Sequence, residues 1–435
     1  MLFAVLLVSL CVDKRILKGA KMARSLQETV REDGLRVITK KLKIAKSVIV
    51  SVSALGGCAY DPQDKTGLFH FFEHMAFKGT KTKSMHEIKE ALGRLVMSNA
   101  GTHNLRTTYW GEAVHTKLPL LQEIVFDIYL NPVFPPEEIE KEKEVVLNEA
   151  AMYEDNDNHK AWYLLYGLLW EHNPQRRLGV GIAAGLSNIN RGILLETHKK
   201  WYQPSNTIVV AVGRIDHDKF LNDVNDSFPF VAGKVVLSGW GDEADQPPFH
   251  KAIIVERKNR EKGVVVWGCK VPKLSDREID AGVILSNMLG GGFDSLLWTE
   301  VREKRGLVYS VHSYFDVNGL GNYFGFVGTM LPPRLDEVKD LICDVICNYN
   351  LNEAHFCRAR EVIEDEHLLS LEDSHDWNRT IHNRIIDDRK DISILNNYIA
   401  RRIKRLQSIT FEEVLEMRRK LITPERLACA VVKPC

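Results

Sequence analysis

The sequence predicts an α+β protein made of two homologous domains, each an antiparallel β-sheet packed with helices. The segments 201–215 (WYQPSNTIVVAVGRI) and 421–432 (LITPERLACAVV) repeat one another, because each has a proline, two polar residues and then a β-rich run. Pro204 and Pro424 lie about half the chain apart, a period that indicates a duplicated domain rather than a solenoid. Each half also opens with strand-like segments and continues with helical ones.

The strand-like segments come in pairs. Alternating apolar residues predict an antiparallel pair at 35–42 and 46–57 in the first half. The same pattern predicts an antiparallel pair at 250–258 and 263–272 in the second half.

The domain boundaries follow from composition. Residues 235–249 are rich in Pro, Gly and acidic side chains, which is typical of a linker. We therefore predict a first domain at 23–234 and a second domain at 250–435, with residues 1–22 as a leader or an extension.

The overall composition is that of an ordinary globular protein. The chain has 435 residues, enough for two full cores, and Lys+Arg and Asp+Glu both number 58. A net charge of zero without a basic stripe argues against nucleic acid as a partner.

The N-terminal run and the cysteines bear on location. Residues 1–11 are apolar but too few to cross a bilayer, so no stable membrane span is predicted. Eight cysteines without a CxxC pair favour reduced thiols and the cytoplasm. Export or membrane anchoring through residues 1–20 stays open, as does a translation start at Met22.

The run His70-Phe71-Phe72-Glu73-His74 has the HxxEH pattern. Residues four apart lie on one face of a helix, so His70 and His74 can bind one metal ion while Glu73 acts on a metal-bound water. Histidines at this spacing also occur without metal, but Thr66-Gly67 and Lys78-Gly79 predict a short helix whose other positions are apolar. Buried, charged side chains in such a helix need partners, and Zn²⁺ is the one we predict.

A third ligand is expected from the helix predicted at 137–153. Glu142 and Glu149 interrupt an apolar face formed by Ile139, Val145, Val146 and Tyr153. We take Glu149 as the third zinc ligand and Glu142 as a carboxylate that orients a ligand histidine. Glu154 and Asp155 are rivals for the third position.

Several segments together resemble the pitrilysin/insulinase family of zinc metallopeptidases. They are HFFEHMAFKGT (70–80), LNPVFPPEEIEKEK (130–143), KEKEVVLNEAAMYED (141–155), WYQPSNTIVVAVGRID (201–216) and GGGF…EVREKRGLVYSVHSYF (290–315). The resemblance is to the short type, to which bacterial processing-protease-like proteins and the mitochondrial processing peptidase beta subunit belong. It implies a pitrilysin-like fold and the same zinc ligands, His70, His74 and Glu149, supported by Glu142.

The resemblance also implies substrate-binding residues. Arg302 and Tyr309 match a family pair that holds substrate and polarises the scissile carbonyl, with Arg305 as a spare candidate; a helix-end arginine and a partly buried tyrosine are the alternative. Asn99 and Ala100 match an edge strand that accepts the peptide backbone by strand addition, although an ordinary polar turn would look the same. The second half has no HxxEH and is expected to be an inactive peptidase-like domain.

The sequence thus predicts a zinc endopeptidase with one Zn²⁺ per chain, acting on short or unfolded peptides with Glu73 as general base. The resemblance implies a homodimer, or a heterodimer with a related subunit, that encloses a chamber. The alternative is a non-catalytic or substrate-holding subunit of a heterodimeric processing peptidase. Such subunits usually lose HxxEH, whereas this chain keeps it.

Overall fold

The computed structural model of the chain describes residues 25–231, 251–318, 320–370, 372–387, 392–395 and 398–435. These residues form two β-sheets, each packed with helices, which confirms the predicted fold class. The predicted leader at 1–22 and the linker at 235–249 lie outside the described residues. The boundaries of the two domains stay predictions.

The first half contributes a six-stranded sheet. Its strands are β1 (Leu26–Val30), β2 (Arg36–Lys41), β3 (Ser47–Ala54), β4 (Met97–Thr102), β5 (Thr107–Val114) and β6 (Thr207–Gly213). They lie in the order β1-β2-β6-β3-β5-β4. The helices of this half are α1 (Leu68–Ala76), α2 (Met85–Leu92), α3 (Leu118–Leu130), α4 (Pro136–Asp155), α5 (Asp157–Leu169), α6 (Ala183–Ser187), α7 (Arg191–Trp201) and α8 (His217–Ser227).

The second half contributes a five-stranded sheet. Its strands are β7 (Ala252–Arg257), β8 (Gly263–Val271), β9 (Val308–Asp316), β10 (Asn322–Met330) and β11 (Ala428–Pro434), in the order β7-β11-β8-β10-β9. The helices are α9 (Asp276–Gly290), α10 (Leu335–Asn348), α11 (Glu353–Leu369), α12 (Ser374–Ile381), α13 (Tyr398–Ser408) and α14 (Phe411–Leu421), with π-helical turns at Trp298–Glu303 and His382–Asp387.

The strand pairs predicted to open each half are wrong. β6 lies between β2 and β3, and it runs parallel to β2 and antiparallel to β3. In the second sheet β11 lies between β7 and β8 in the same way. The reason is that every residue of β6 is buried, so both of its faces must be covered and it takes a central position. Each sheet therefore contains one parallel pair among antiparallel ones.

The internal repeat that the sequence predicts is confirmed by this arrangement. A 3₁₀ turn at Pro204–Asn206 precedes β6, and a 3₁₀ turn at Pro424–Arg426 precedes β11. The two repeated segments thus fill equivalent places in the two sheets.

Each half contributes a helix that packs on the sheet of the other half. Leu165 of α5, from the first half, packs with Val266 of the second sheet. Trp377 of α12, from the second half, packs with Ile38 and Val210 of the first sheet. Because side chains alternate along a strand, this leaves the other face of the first sheet to pack against α1.

Two further features concern the helices and the cysteines. The described residues contain no helix that combines the length and apolar character needed to cross a bilayer. The cysteines that the structure describes are all free.

Candidate metal centre

Helix α1 carries the HxxEH residues on the face that is directed away from the hydrophobic core. Its other positions are apolar and buried: Leu68, Phe69, Phe71, Phe72, Met75 and Ala76. The predicted helix is confirmed, and of the Thr66-Gly67 pair it is Gly67 that takes the N-cap position, with φ +89°. Glycine adopts this backbone without strain, and a Cβ there would lie 2.7 Å from the Val180 carbonyl oxygen.

Packing of α1 against α4 brings three ligand-type side chains together. The Nε2 atoms of His70 and His74 lie 3.8 and 3.4 Å from Oε2 of Glu149. One donor atom from each residue lies within 4.8 Å of the others. These distances exceed those of hydrogen bonds, so the three side chains do not satisfy one another directly.

The three donors fit a catalytic zinc ion. Two imidazole nitrogens and one carboxylate oxygen are a known donor set for such sites, with a fourth position left for water. Ligand atoms about 2.0–2.1 Å from a tetrahedral zinc ion lie roughly 3.3 Å apart. The spacing between Glu149 and the two histidines is close to that value.

His74 is held by a carboxylate behind it. Its Nδ1 lies 2.9 Å from Oε1 of Glu142, whose other oxygen is paired with the ammonium of Lys78. Burial alone would raise the pKa of Glu142, but its hydrogen bonds with His74 and Lys78 outweigh burial and lower it. Burial would likewise lower the pKa of His74, but the Glu142 hydrogen bond and nearby carboxylates raise it. The Glu142 contact at Nδ1 keeps Nε2 of His74 directed towards Glu149.

His70 has a different environment. Burial, aided by the neighbouring His74, lowers the pKa of His70 to about 4. The imidazole is therefore neutral at neutral pH, the form that binds metal. Its Nδ1 is buried and has no hydrogen-bond partner among the described residues.

Glu73 lies beside the three donors rather than among them. Its Oε2 accepts a hydrogen bond of 2.7 Å from the hydroxyl of Thr102 on β4. Burial raises the pKa of Glu73, although the Thr102 hydrogen bond opposes that shift. A carboxyl whose pKa is raised towards neutrality is suited to accept a proton and then return it.

The rivals for the third ligand position are engaged elsewhere. Glu154 pairs with Lys160 at 2.5 Å, and Asp155 pairs with Arg260. The predicted apolar face of the helix is only partly right, because Val145 is 49% exposed and Tyr153 is 38% exposed.

The predicted substrate strand borders the site. Asn99 and Ala100 lie on β4, which pairs only with β5 among the described strands and so has a free edge. A cleft of about 360 Å³ runs from Glu73 and His74 past these two residues. Its far wall is largely apolar and comes from Phe77 and α2, with Met85, Ile88 and Leu92.

Arg302 and Tyr309 contact each other rather than the donor cluster. The Arg302 guanidinium donates to the carbonyl oxygens of Val308 and Tyr309 and lies 5.6 Å from the Tyr309 ring. Tyr309 is 70% exposed. Within the described part of the chain, no hydrogen bond, ion pair or ring contact links either residue to the cluster. The spare candidate Arg305 is bonded to Glu300.

The roles of three residues near the site were not predicted from the sequence. Thr102 holds Glu73, Lys78 pairs with Glu142, and Asp61 accepts hydrogen bonds from the first turn of α1. Lys78 lies one helical turn after His74, a spacing that could have indicated it. The contacts of Thr102 and Asp61 depend on the fold and carry no local signal.

The fold and this donor set define a class: two sheet-and-helix halves that carry, among the described residues, a histidine–histidine–glutamate cluster. Two family models match the chain in succession. Residues 36–177 match "Insulinase (Peptidase family M16)", and residues 188–363 match "Peptidase M16 inactive domain". The chain belongs to the insulinase family of peptidases, M16, and the resemblance inferred from its motifs is confirmed.

Relatives of nearly the same length carry the name zinc protease. An uncharacterized zinc protease of Mycobacterium leprae is 27% identical over 432 residues, covering 96% of this chain and 94% of that protein. The uncharacterized zinc protease YmxG of Bacillus subtilis is 26% identical over 409 residues, covering 93% of this chain and 97% of that protein.

Solved structures share the fold. A protease from Helicobacter pylori superposes with a TM-score of 0.83 at 19% identity, covering 94% of this chain and 99% of that one. A peptidase M16 inactive domain structure from Pseudomonas fluorescens gives a TM-score of 0.84 at 17% identity, covering 94% and 98%. At these identities the likeness concerns the fold alone.

Proposed function

We propose that this chain is a zinc-dependent endopeptidase that hydrolyses short or unfolded peptides. The observation that carries the proposal is the convergence of His70, His74 and Glu149 beside the partly buried carboxyl of Glu73. The zinc protease names of relatives from two organisms support the same metal.

The chemistry follows from the positions of the side chains. Zinc, when bound to these three residues, acts as a Lewis acid that lowers the pKa of a water molecule towards about 7. Glu73 accepts the proton of the attacking water and delivers it to the leaving amine. The Thr102 hydroxyl fixes the Glu73 carboxyl at the edge of β4, where the scissile peptide would lie.

The substrate would bind as an added strand on β4. The free edge at Asn99 and Ala100 offers backbone groups to an extended peptide but not to a folded domain. The neighbouring cleft would receive one substrate side chain, and its Met85, Ile88 and Leu92 wall favours a large apolar group.

A second subunit would complete the site. Arg302 and Tyr309 have no contact with the donor cluster within the described chain, although Tyr309 is exposed. In a two-fold dimer the pair from one chain can face the cluster of its partner, where the Tyr309 hydroxyl would stabilise the oxyanion. Either a homodimer or a heterodimer with a related subunit would do this.

A cleavage-site profile tests the proposal. The protein is incubated with a mixed peptide library, with and without a chelator, and the products are identified by mass spectrometry. We expect metal-dependent cleavage of extended peptides next to large apolar residues, and no cleavage of a stable folded domain. Peptide binding without any metal-dependent cleavage would instead favour a non-catalytic, substrate-holding subunit.

A further inference from the structure

The two ligand histidines are held in different ways. Nδ1 of His74 lies 2.9 Å from the Glu142 carboxylate, which fixes the plane of that imidazole. Nδ1 of His70 is buried without a hydrogen-bond partner in the described residues. The direction of the His70 ring must therefore be set by packing and by the position of α1 itself.

The position of α1 is fixed at its first turn by a residue outside the helix. Asp61 is 6% exposed, and its two carboxylate oxygens accept hydrogen bonds from the backbone N–H of Gly67 at 2.7 Å and of Phe69 at 3.1 Å. The N-cap Gly67 has no side chain of its own to do this. Phe69 immediately precedes His70, so the Asp61 contact ends one residue before the ligand.

Asp61 is itself tied to the surrounding structure. The Arg177 guanidinium donates to the Asp61 carbonyl oxygen at 3.1 Å. Around the same turn the backbones are in close contact, because a Cβ on Gly181 would lie 2.5 Å from the Thr66 carbonyl oxygen. The start of α1 is thus held between the Asp61 carboxylate and the segment that contains Gly181.

We propose that Asp61 is a positioning residue for zinc: by anchoring the first turn of α1, it does for His70 what Glu142 does for His74. This inference rests on the proposed zinc site. In the described structure Asp61 contacts the backbone of Gly67 and Phe69 and none of the three donor side chains, so its effect is transmitted through the backbone from Gly67 to His70.

The test compares Asp61→Asn with a capping aspartate elsewhere. The asparagine keeps the shape but turns an NH₂ group towards one of the two backbone N–H donors. Asp216 is a matched control, because it caps α8 by accepting from the Lys219 N–H at 3.2 Å. We would measure the zinc dissociation constant of each folded protein by competition with a chromophoric chelator, together with the thermal unfolding of the metal-free form.

We expect Asp61→Asn to weaken zinc binding at least about 10-fold, the usual effect of losing a residue that supports a ligand, while Asp216→Asn binds zinc like the wild type. Equal zinc affinity in Asp61→Asn and the wild type would overturn the inference. If Asp61→Asn does not fold, the Arg177→Gln variant takes its place in the test. It keeps the Asp61 carboxylate but removes the hydrogen bond to the Asp61 carbonyl oxygen, and it must also weaken zinc binding. A wild-type protein that binds no zinc would overturn the proposed function as well.

Discussion

Replacing Glu142 by glutamine should weaken zinc binding without unfolding the protein. The Glu142 carboxyl is nearly buried and faces two donors, Nδ1 of His74 at 2.9 Å and the ammonium of Lys78. A glutamine has one acceptor oxygen. If that oxygen faces His74, its NH₂ group meets the lysine ammonium. If it faces Lys78, the NH₂ group meets Nδ1 and favours the tautomer with the proton on Nε2, the nitrogen that the metal needs.

The magnitude follows from what is lost. The first arrangement leaves the Lys78 ammonium without its acceptor, and the second places a proton on the Nε2 that should bind the metal. Removing such a supporting partner typically costs 10–100-fold in metal affinity. That range corresponds to about 1.4–2.8 kcal/mol of binding free energy.

Chelator competition would measure the dissociation constant of Glu142→Gln, with Glu140→Gln as control. Glu140 lies on the same helix, but its side chain is 80% exposed and pairs with Lys143. Zinc affinity of Glu142→Gln equal to that of both the wild type and Glu140→Gln would show that Glu142 does not orient His74 for the metal.

Three further predictions follow from the same structure. Glu149→Gln should lose zinc while Glu154→Gln keeps it, as metal analysis would reveal; the opposite result would make Glu154 the ligand. Burial and a neighbouring arginine lower the pKa of His382 to about 3. As the pH falls below about 6.5, His382 therefore binds a proton in the unfolded chain but stays neutral in the folded one, and the free energy of unfolding decreases by up to about 1.4 kcal/mol per pH unit. His382→Gln should flatten this dependence in denaturant titrations between about pH 6 and pH 4, and an unchanged slope would argue against the assignment. Mixing Glu73→Gln with Arg302→Ala should restore about a quarter of wild-type peptide turnover, because about half of the reassorted dimers are mixed and each has one intact site. Proven subunit exchange without recovery would exclude the arrangement in trans.

Local sequence rules were enough for the parts of the site that lie on helices. The i, i+4 spacing placed His70 and His74 on one face of α1, and the regular period of α4 put Glu149 and Glu142 on the side that meets them. The side chains that share a helix face can be predicted from spacing because the α-helix has a fixed number of residues per turn.

The contacts that depend on distant chain segments could not be predicted in this way. The Asp61 cap was missed because the local rule looks for a side chain at the N-cap itself, which is Gly67 here. The predicted strand pairs were wrong because the alternation of apolar residues shows which side chains face the core but not which strands are neighbours in the sheet. Arg302 and Tyr309 lie against each other, and no contact within the described residues links either of them to the donor cluster, so their proposed role in catalysis stays a prediction.

In the proposed function Glu73 acts on water while His70, His74 and Glu149 bind zinc. Metal content and peptide turnover of Glu73→Gln and His74→Ala, measured beside the wild type, test this division of roles most directly. We expect Glu73→Gln to keep about one zinc per chain but to lose at least ~10³-fold in turnover, within the range attributed to general-base catalysis, and His74→Ala to lose the metal. Loss of zinc from Glu73→Gln, or turnover close to that of the wild type, would contradict this division of roles.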